Sequence, residues 1–241
     1  MLQDCRTSID TLLGERVRLE QFVKGYRAGL DPVLLAAAVP ARAGEHALEL
    51  GLGAGGASLC LLARVTSVHV TGIDHDPAFT LLARRNATLN KMEKRFTIID
   101  GKVGEDLELN PFDHVFANPP YHDTEQHNVE KRPSHMPKEE LSLWIGYAFR
   151  YLKPNGSFTL IHRADALDLI LNALAEQAAG AIKILPICSH AGKSAKRILV
   201  SAVKNRKTPL ELLSPLVVHK ADGAYEEICR LILEDAAALQ L

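Results

Sequence analysis

The tetrapeptide Asn118–Tyr121, Asn-Pro-Pro-Tyr, carries groups suited to holding a planar amino group. An amine attached to a ring is a weak nucleophile because its lone pair is delocalised, and two hydrogen-bond acceptors can draw that nitrogen toward tetrahedral geometry. The side-chain oxygen of Asn118 and the carbonyl of Pro119 are two such acceptors. Pro119 and Pro120 restrict the backbone and remove competing N–H donors, and Tyr121 can stack on a base, a contact worth about 1–3 kcal/mol. The tetrapeptide therefore predicts chemistry at an exocyclic amino nitrogen.

A proline-rich turn that closes a strand would explain the same four residues without any chemistry. Their position favours the chemical interpretation, because they directly follow the predicted strand 112–117, FDHVFA. Open α/β sheets bind their ligands at the carboxyl ends of the strands.

The glycine-rich segment Glu49–Gly56 predicts a site for an adenosine-containing cofactor. Glycines let the backbone turn sharply and approach a ligand, and the helix behind them offers unpaired N–H groups. Asp74 ends the next predicted strand, where its carboxylate can accept hydrogen bonds from both hydroxyls of a ribose. The segment does not distinguish a nicotinamide dinucleotide from S-adenosylmethionine, because Gly51, Gly53 and Gly56 also satisfy the dinucleotide pattern G-x-G-x-x-G.

Two acidic residues near this segment have structural alternatives. Asp74 could instead cap the helix that opens at Pro77, although its place at the end of a strand favours cofactor binding. Asp100 ends the third predicted strand and could accept a hydrogen bond from an adenine amino group. A simple turn role explains Asp100 almost equally well.

Strand-like and helix-like segments alternate along most of the chain, which predicts a mainly parallel sheet with helices on both faces. The predicted strands are 46–50, 67–74, 95–100, 112–117, 156–162, 182–187 and 197–203. The predicted helices are 33–39, 57–65, 77–90, 137–152, 164–177 and 224–240, the first capped by Asp31 ahead of Pro32. The last strand follows its predecessor without a helix, so we expect it to run antiparallel. The polar segment 122–136 is too long for an ordinary connection, and we expect it to be functional or disordered.

Composition excludes a strongly basic nucleic-acid-binding protein and a disordered chain. The 241 residues are 47% hydrophobic and 24% charged, with a net charge of −1, so nucleic acid would need a local basic face. The segment 193–207 contains six Lys or Arg and no acidic residue; a solvated charged rim explains it equally well. The expected RNA contacts are Lys131, Arg132, Lys193, Lys196 and Arg197.

Cysteine placement and the N-terminus point to a cytoplasmic protein. The four cysteines, Cys5, Cys60, Cys188 and Cys229, are too far apart for a zinc knuckle or a disulfide framework. The N-terminal segment carries charges and has no apolar core like that of a signal peptide. No apolar run approaches the roughly 20 residues that span a bilayer.

The whole set of motifs resembles the bacterial class I amino-methyltransferases that carry an Asn-Pro-Pro-Tyr tetrad. Within them, the chain is most similar to the group that methylates adenine N6 in tRNA next to a valine anticodon. The resembling segments are QFVKGYRAGLDPVLLAAAV, LELGLGAGG, TGIDHDP, FDHVFANPPYH and PLVVHKADGAYEEI. The glycine segment and the tetrad carry the reaction type, and the two terminal segments favour the subgroup.

The resemblance implies a Rossmann-like α/β fold, the class I S-adenosylmethionine methyltransferase fold. Its sheet would have seven mostly parallel strands with an antiparallel C-terminal hairpin strand. It also implies a single domain over 1–241 with an N-terminal helical extension over about residues 1–40. The cofactor would be S-adenosylmethionine, the substrate RNA, and no metal would be needed.

The resemblance further implies a role for each matched residue. Asn118, Pro119, Pro120 and Tyr121 would be catalytic. The cofactor pocket would be lined by Glu49, Gly51, Gly53 and Gly55, with Asp74 on the ribose, Asp100 near the adenine, and Tyr26 and Asp31 at the methionine end. The loop histidines His122, His127 and His135 depart from the family pattern; we interpret them as exposed residues rather than metal ligands.

Three alternatives stay open at this point. The same tetrad serves related enzymes that methylate a glutamine side-chain amide in a protein. The glycine segment alone would permit a nicotinamide-dependent dehydrogenase, which leaves the tetrad unexplained. A non-catalytic RNA-binding protein could keep the fold. The sequence does not predict the oligomeric state.

Overall fold

A computed structural model of the chain describes residues 6–25, 27–120 and 138–241. Several residues discussed above lie outside these ranges: Tyr26, Tyr121, Lys131, Arg132 and the loop histidines His122, His127 and His135. Their predicted roles stay predictions.

The first described elements form a β hairpin. Strand β1 (Thr7–Leu12) pairs antiparallel with β2 (Val17–Phe22), and helix α1 (Leu30–Ala38) follows. The predicted helical extension is therefore wrong for residues 7–22 and correct only for α1. The physical reason lies in β2, where every second residue is buried, beginning with Val17 and Leu19. A period of two is that of a strand and not of a helix.

The remaining strands form one mixed sheet. They are β3 (His46–Leu50), β4 (His69–Asp74), β5 (Phe96–Asp100), β6 (Phe112–Ala117), β7 (Leu152–Arg163), β8 (Ala179–Cys188), β9 (Arg197–Lys204), β10 (Glu211–Leu212) and β11 (Leu216–Val217). The order across the sheet is β10-β8-β9-β7-β6-β3-β4-β5, with β11 also paired to β8. Among these described strands, β9 runs antiparallel to both neighbours. The class I fold with an antiparallel hairpin strand is confirmed, and two short strands extend its edge.

The helices cover both faces of the sheet. They are α2 (Gly56–Arg64), α3 (Pro77–Leu89), α4 (Lys138–Tyr151), α5 (Leu167–Ala175) and α6 (Glu227–Asp235) besides α1, with a short 3₁₀ turn at Ala164–Ala166. Successive residues of the central strands point to opposite faces of the sheet and so pack into two separate hydrophobic cores. Ala47 and Phe116 pack on the α1–α2 side, and Leu48 and Val115 pack on the α4–α5 side. None of the described helices has the length and apolarity to cross a membrane. The single-domain boundary stays a prediction.

The sheet order reverses between β3 and β6. The chain runs from β3 outward to β4 and β5 on one side, then crosses back to β6 on the other. Such a switch point opens a crevice at the carboxyl ends of the two strands, where α/β proteins bind ligands. The glycine-rich segment follows β3, and the tetrad follows β6.

Candidate active site

Strand register brings the tetrad beside the glycine-rich segment. Leu50, the last residue of β3, pairs with Ala117, the last residue of β6. Gly51 and Asn118 therefore leave adjacent strands side by side. Asn118 is half-buried, Pro119 is buried and Pro120 is exposed.

Three glycines of the segment have left-handed backbone conformations that favour glycine. The φ angles are 68° at Gly51, 52° at Gly53 and 86° at Gly55, and Gly55 caps α2. A Cβ at Gly53 would meet no atom of the described residues within 4 Å, so the backbone there borders open space. A bound ligand can approach this backbone without meeting a side chain.

Gly51 is restricted for a different reason. A Cβ at this position would lie 2.5 Å from Cη2 of Trp144, the chain's single tryptophan, on α4. Trp144 thus packs against the first glycine of the segment. Sequence reasoning missed Trp144, because its spacing in α4 is that of an ordinary amphipathic helix.

We expect Gly51→Ala to shift the emission of Trp144, whereas the matched variant Gly53→Ala should keep the wild-type spectrum. Both alanines adopt a left-handed conformation that costs about 1–2 kcal/mol, but only the first collides with the indole. Intrinsic fluorescence and thermal melting would measure the two effects. Equal spectra for the two variants would contradict the packing of Trp144 on Gly51.

Glu49 ties β3 to the start of α2. Its side chain is buried, with the residue only 2% exposed, and Oε2 accepts a hydrogen bond from the Ser58 backbone N–H at 3.0 Å and another from the Ser58 hydroxyl. Burial raises the pKa of Glu49 to about 8, although both Ser58 hydrogen bonds act in the opposite direction. Glu49 therefore connects the strand before the glycine-rich segment to the helix after it. Its predicted cofactor contact stays a prediction.

Glu49 should make the cofactor-free protein less stable as the pH rises from about 4.5 to about 8. In that window the unfolded chain has lost the proton that folded Glu49 keeps, so the folded state becomes relatively less stable. Glu49→Gln removes this loss of stability. The melting temperature of the variant minus that of wild type should therefore increase by several degrees as the pH rises across the window. Glu108→Gln, at an exposed position, controls for the loss of one carboxylate. A pH-independent difference between Glu49→Gln and wild type would contradict the assignment.

Asp74 lies at the end of β4 and accepts a hydrogen bond from the glycine-rich segment. Its Oδ2 accepts a hydrogen bond from Gly53 N–H at 2.8 Å, and Oδ1 accepts one from Asp76 N–H at 3.0 Å. An ionised carboxylate has about four lone-pair sites, so both oxygens can accept further bonds, as from two ribose hydroxyls. The capping alternative is wrong, because Asp76, and not Asp74, caps α3 by accepting from Ala78 N–H at 2.8 Å.

Asp100 lies directly opposite Asp74 at the end of the next strand. Its side chain is 55% exposed and forms an ion pair with Arg84 Nη2 at 2.8 Å. The hydrogen bonds from Arg84 and then Thr80 lower the pKa of Asp100. The register thus brings the two predicted cofactor acids together, and α3 supplies a cation that the sequence did not indicate.

Asp31 and Arg197 form an ion pair with Asp31 Oδ2 and Arg197 Nε 3.0 Å apart. Arg197 begins β9 and lies opposite Arg163 at the carboxyl end of β7. A predicted cofactor residue and a predicted RNA contact thus neutralise each other at the sheet edge. Asp31 also does not cap α1, since Gly29 occupies the cap position.

The basic segment 193–207 does not form one face. Lys193 and Lys196 are exposed in the β8–β9 loop at the carboxyl edge. Lys204 ends β9 at the other edge, roughly 24 Å away for seven strand residues, where its Nζ donates to Leu152 O at 2.8 Å. The prediction of a continuous basic face is therefore wrong, because a strand carries its two ends to opposite edges of the sheet.

Residues 29–167 match the model of the methyltransferase small domain. The chain belongs to this family. It is an S-adenosylmethionine-dependent methyltransferase, so the dehydrogenase alternative is wrong. The open backbone at Gly53 and the carboxylate of Asp74 at the end of β4 fit an adenosyl cofactor.

Curated relatives and solved structures align with most of the length of this methyltransferase. A tRNA1(Val) (adenine(37)-N6)-methyltransferase of Porphyromonas gingivalis is 30% identical over 222 residues, covering 87% of this chain and 84% of that protein. The enzyme of the same name from Aeromonas hydrophila is 25% identical and covers 83% and 86%. Among solved structures, a predicted O-methyltransferase from Agrobacterium tumefaciens has a TM-score of 0.75, 25% identity, and coverage of 88% and 99%. A Thermus thermophilus 16S rRNA N2 G1207 methyltransferase bound to S-adenosylmethionine and guanosine has a TM-score of 0.59 at 21% identity, with coverage of 83% and 50%.

Proposed function

We propose that this methyltransferase acts on the N6 amino group of an adenine in tRNA, at position 37 of a valine tRNA. The observation that carries the proposal is the pairing of Leu50 with Ala117, which sets Asn118 and Pro119 beside the glycine-rich segment. The curated relatives carry that activity in their names.

The tetrad holds the amino group in this proposal. The Asn118 side-chain oxygen and the Pro119 carbonyl each accept one N6 hydrogen, which concentrates the nitrogen lone pair toward the crevice. Burial of Pro119 and the ring of Pro120 limit the backbone conformations available to that carbonyl. Tyr121, outside the described residues, would stack on the base.

Residues of β3, β4 and β5 hold the cofactor in this proposal. S-adenosylmethionine supplies an electrophilic methyl group on its sulfonium. Asp74 accepts from the ribose hydroxyls, Gly53 lets the cofactor approach the backbone, and Asp100 lies near the adenine. Orientation for in-line attack accounts for much of the rate, and the methylated nitrogen can lose its proton afterwards to water, so no strong base is required.

Exposed lysines at the carboxyl edge support an RNA substrate. Lys193 and Lys196 stand on the same edge of the sheet as the tetrad and can contact phosphates. Contacts of this kind make affinity fall steeply with salt. A tRNA substrate also implies a cytoplasmic enzyme.

The experiment that tests this proposal offers wild-type protein a methyl-labelled cofactor together with total tRNA and, separately, a bacterial protein extract. We expect label in tRNA and, after digestion, in N6-methyladenosine. Label in protein glutamine instead would favour the amide alternative, and label in 2′-O-methyladenosine would contradict the role of the tetrad.

A further inference from the structure

Three aromatic rings lie in a row at the carboxyl end of β8, and we call them the aromatic platform: His190, His219 and Tyr225. The ring centroids of His219 and Tyr225 are 4.9 Å apart at an interplanar angle of 22°. Those of His190 and His219 are 5.6 Å apart at 34°. Tyr225 is 42% exposed, and both histidines are half-buried. The platform therefore presents a ring to solvent.

The backbone around the platform is tied to the sheet. Strand β11 pairs with β8, and the pairing continues through Val218 N–H to Cys188 O and His219 N–H to Ser189 O, both at 2.9 Å. The turn closes through Lys220 N–H to Ala224 O at 2.8 Å. Rings held in this way lose little conformational freedom when a ligand stacks on them.

One hydrogen bond also fixes the orientation of the central ring. His219 Nδ1 lies 3.1 Å from Gly223 O. A carbonyl can only accept, so Nδ1 donates this hydrogen bond. The bond holds the central ring of the platform in one orientation.

Lysines on two loops flank the platform and can contact phosphates. Lys193, Lys196 and Lys220 are exposed on the β8–β9 loop and on the 218–226 turn. Of the nearby acids, Asp222 accepts from Ala224 N–H at 3.0 Å, and Glu227 pairs with Arg230 at 2.9 Å. Glu226 is half-buried. Aromatic rings interspersed with lysines are the pattern that binds single-stranded nucleic acid, whose bases stack and whose phosphates need cations.

The platform lies on the same sheet edge as the tetrad. Asn118 follows β6, and the strands β7, β9 and β8 succeed it across the sheet. Three strand spacings of about 4.8 Å put the end of β8 roughly 14 Å from the end of β6. Unpaired nucleotides that flank a base held at Asn118 can reach that far.

We propose that the aromatic platform stacks an unpaired base of the RNA substrate that flanks the target adenine, with Lys193, Lys196 and Lys220 on the adjoining phosphates. This inference rests on the proposed RNA substrate and assigns a second contact to it. The platform positions the RNA and takes no part in methyl transfer.

The test compares Tyr225→Ala with the matched variant Tyr225→Phe, which keeps the ring and loses the hydroxyl. The probes are total tRNA and a single-stranded oligoadenylate. We expect Tyr225→Ala to weaken binding of both RNAs about tenfold or more and to raise the KM for tRNA equally. Tyr225→Phe should bind within about twofold of wild type. The kcat at saturating tRNA and the cofactor affinity, read from Trp144 fluorescence, should be unchanged in both variants. Tyr225→Leu, which keeps apolar bulk, should behave like Tyr225→Ala and controls for misfolding.

Salt dependence separates stacking from charge. The double variant Lys193→Ala/Lys196→Ala should reduce the salt slope of RNA binding by about one to two, whereas Tyr225→Ala should leave that slope unchanged. If Tyr225→Ala bound RNA as tightly as wild type, the proposed role of the platform would be wrong. The proposed function would still stand as long as the wild-type protein methylated tRNA. An equal loss of affinity for a polyglutamate peptide would assign the surface to acidic proteins and also overturn the proposed role of the platform. Absence of tRNA methylation by the wild-type protein would instead overturn the proposed function.

Discussion

Asn118→Ala is expected to lower the rate of methyl transfer about 10²- to 10³-fold, the size of effect seen when one polar group that stabilises a transition state is removed. The alanine removes one of two acceptors and leaves the amino nitrogen planar and weakly nucleophilic. Cofactor affinity should stay within about twofold of wild type, because the proposed cofactor contacts lie at the carboxyl ends of β3, β4 and β5. Single-turnover kinetics with tRNA and a Trp144 fluorescence titration with cofactor would measure the two quantities.

The chain offers a matched control for this variant. Asn110 also precedes a proline, is exposed, and lies just before β6 at the opposite edge of the sheet. Asn110→Ala should methylate tRNA at the wild-type rate. An unchanged rate in Asn118→Ala would remove Asn118 from the mechanism.

Asp74→Asn is expected to weaken cofactor binding about 10- to 100-fold while turnover at saturating cofactor falls only a few-fold. The amide replaces one acceptor oxygen by a donor, yet both oxygens of Asp74 already face backbone N–H groups, at Gly53 and Asp76. One of these contacts becomes a repulsive pair of donors, and the ribose loses a charged acceptor worth about 1.5–3 kcal/mol.

Asp106→Asn is the matched control for Asp74→Asn. Its side chain is 82% exposed and pairs with Arg150 at the protein surface. It should bind the cofactor with wild-type affinity. Equal affinity in Asp74→Asn and Asp106→Asn would contradict the ribose contact.

The central fold follows from local patterns that the sequence displays openly. The predicted strand 112–117 coincides with β6, and the predicted helix 77–90 with α3, because each has a clear apolar period and a proline or charged boundary. The crevice follows as well. Once parallel strands alternate with helices, the carboxyl ends of β3 and β6 must adjoin at the switch point.

The N-terminal hairpin also has a local pattern in the sequence. Residues 17–22 alternate between buried and more exposed positions, and the turn before them includes Gly14. The resemblance implies a helical extension over about residues 1–40, although the period of two in β2 argues for a strand.

Contacts between distant segments could not be predicted from spacing. Asp31 pairs with Arg197 across 166 positions, and Trp144 meets Gly51 only after α4 packs against the sheet. The division of the basic segment 193–207 likewise depends on which way β9 runs. These features are set by tertiary packing, whereas a one-dimensional pattern records only the local period.

The most direct measurement uses a valine tRNA transcript with adenine at position 37 and a second transcript with guanine at that position, each incubated with wild-type protein and S-adenosylmethionine. Mass spectrometry of the digested nucleosides should find N6-methyladenosine in the first transcript and none in the second. N6-methyladenosine in both transcripts would place the target elsewhere in the RNA. Its absence from both transcripts, with an active cofactor-binding protein, would contradict the proposal that Asn118 and Pro119 hold this amino group for methylation.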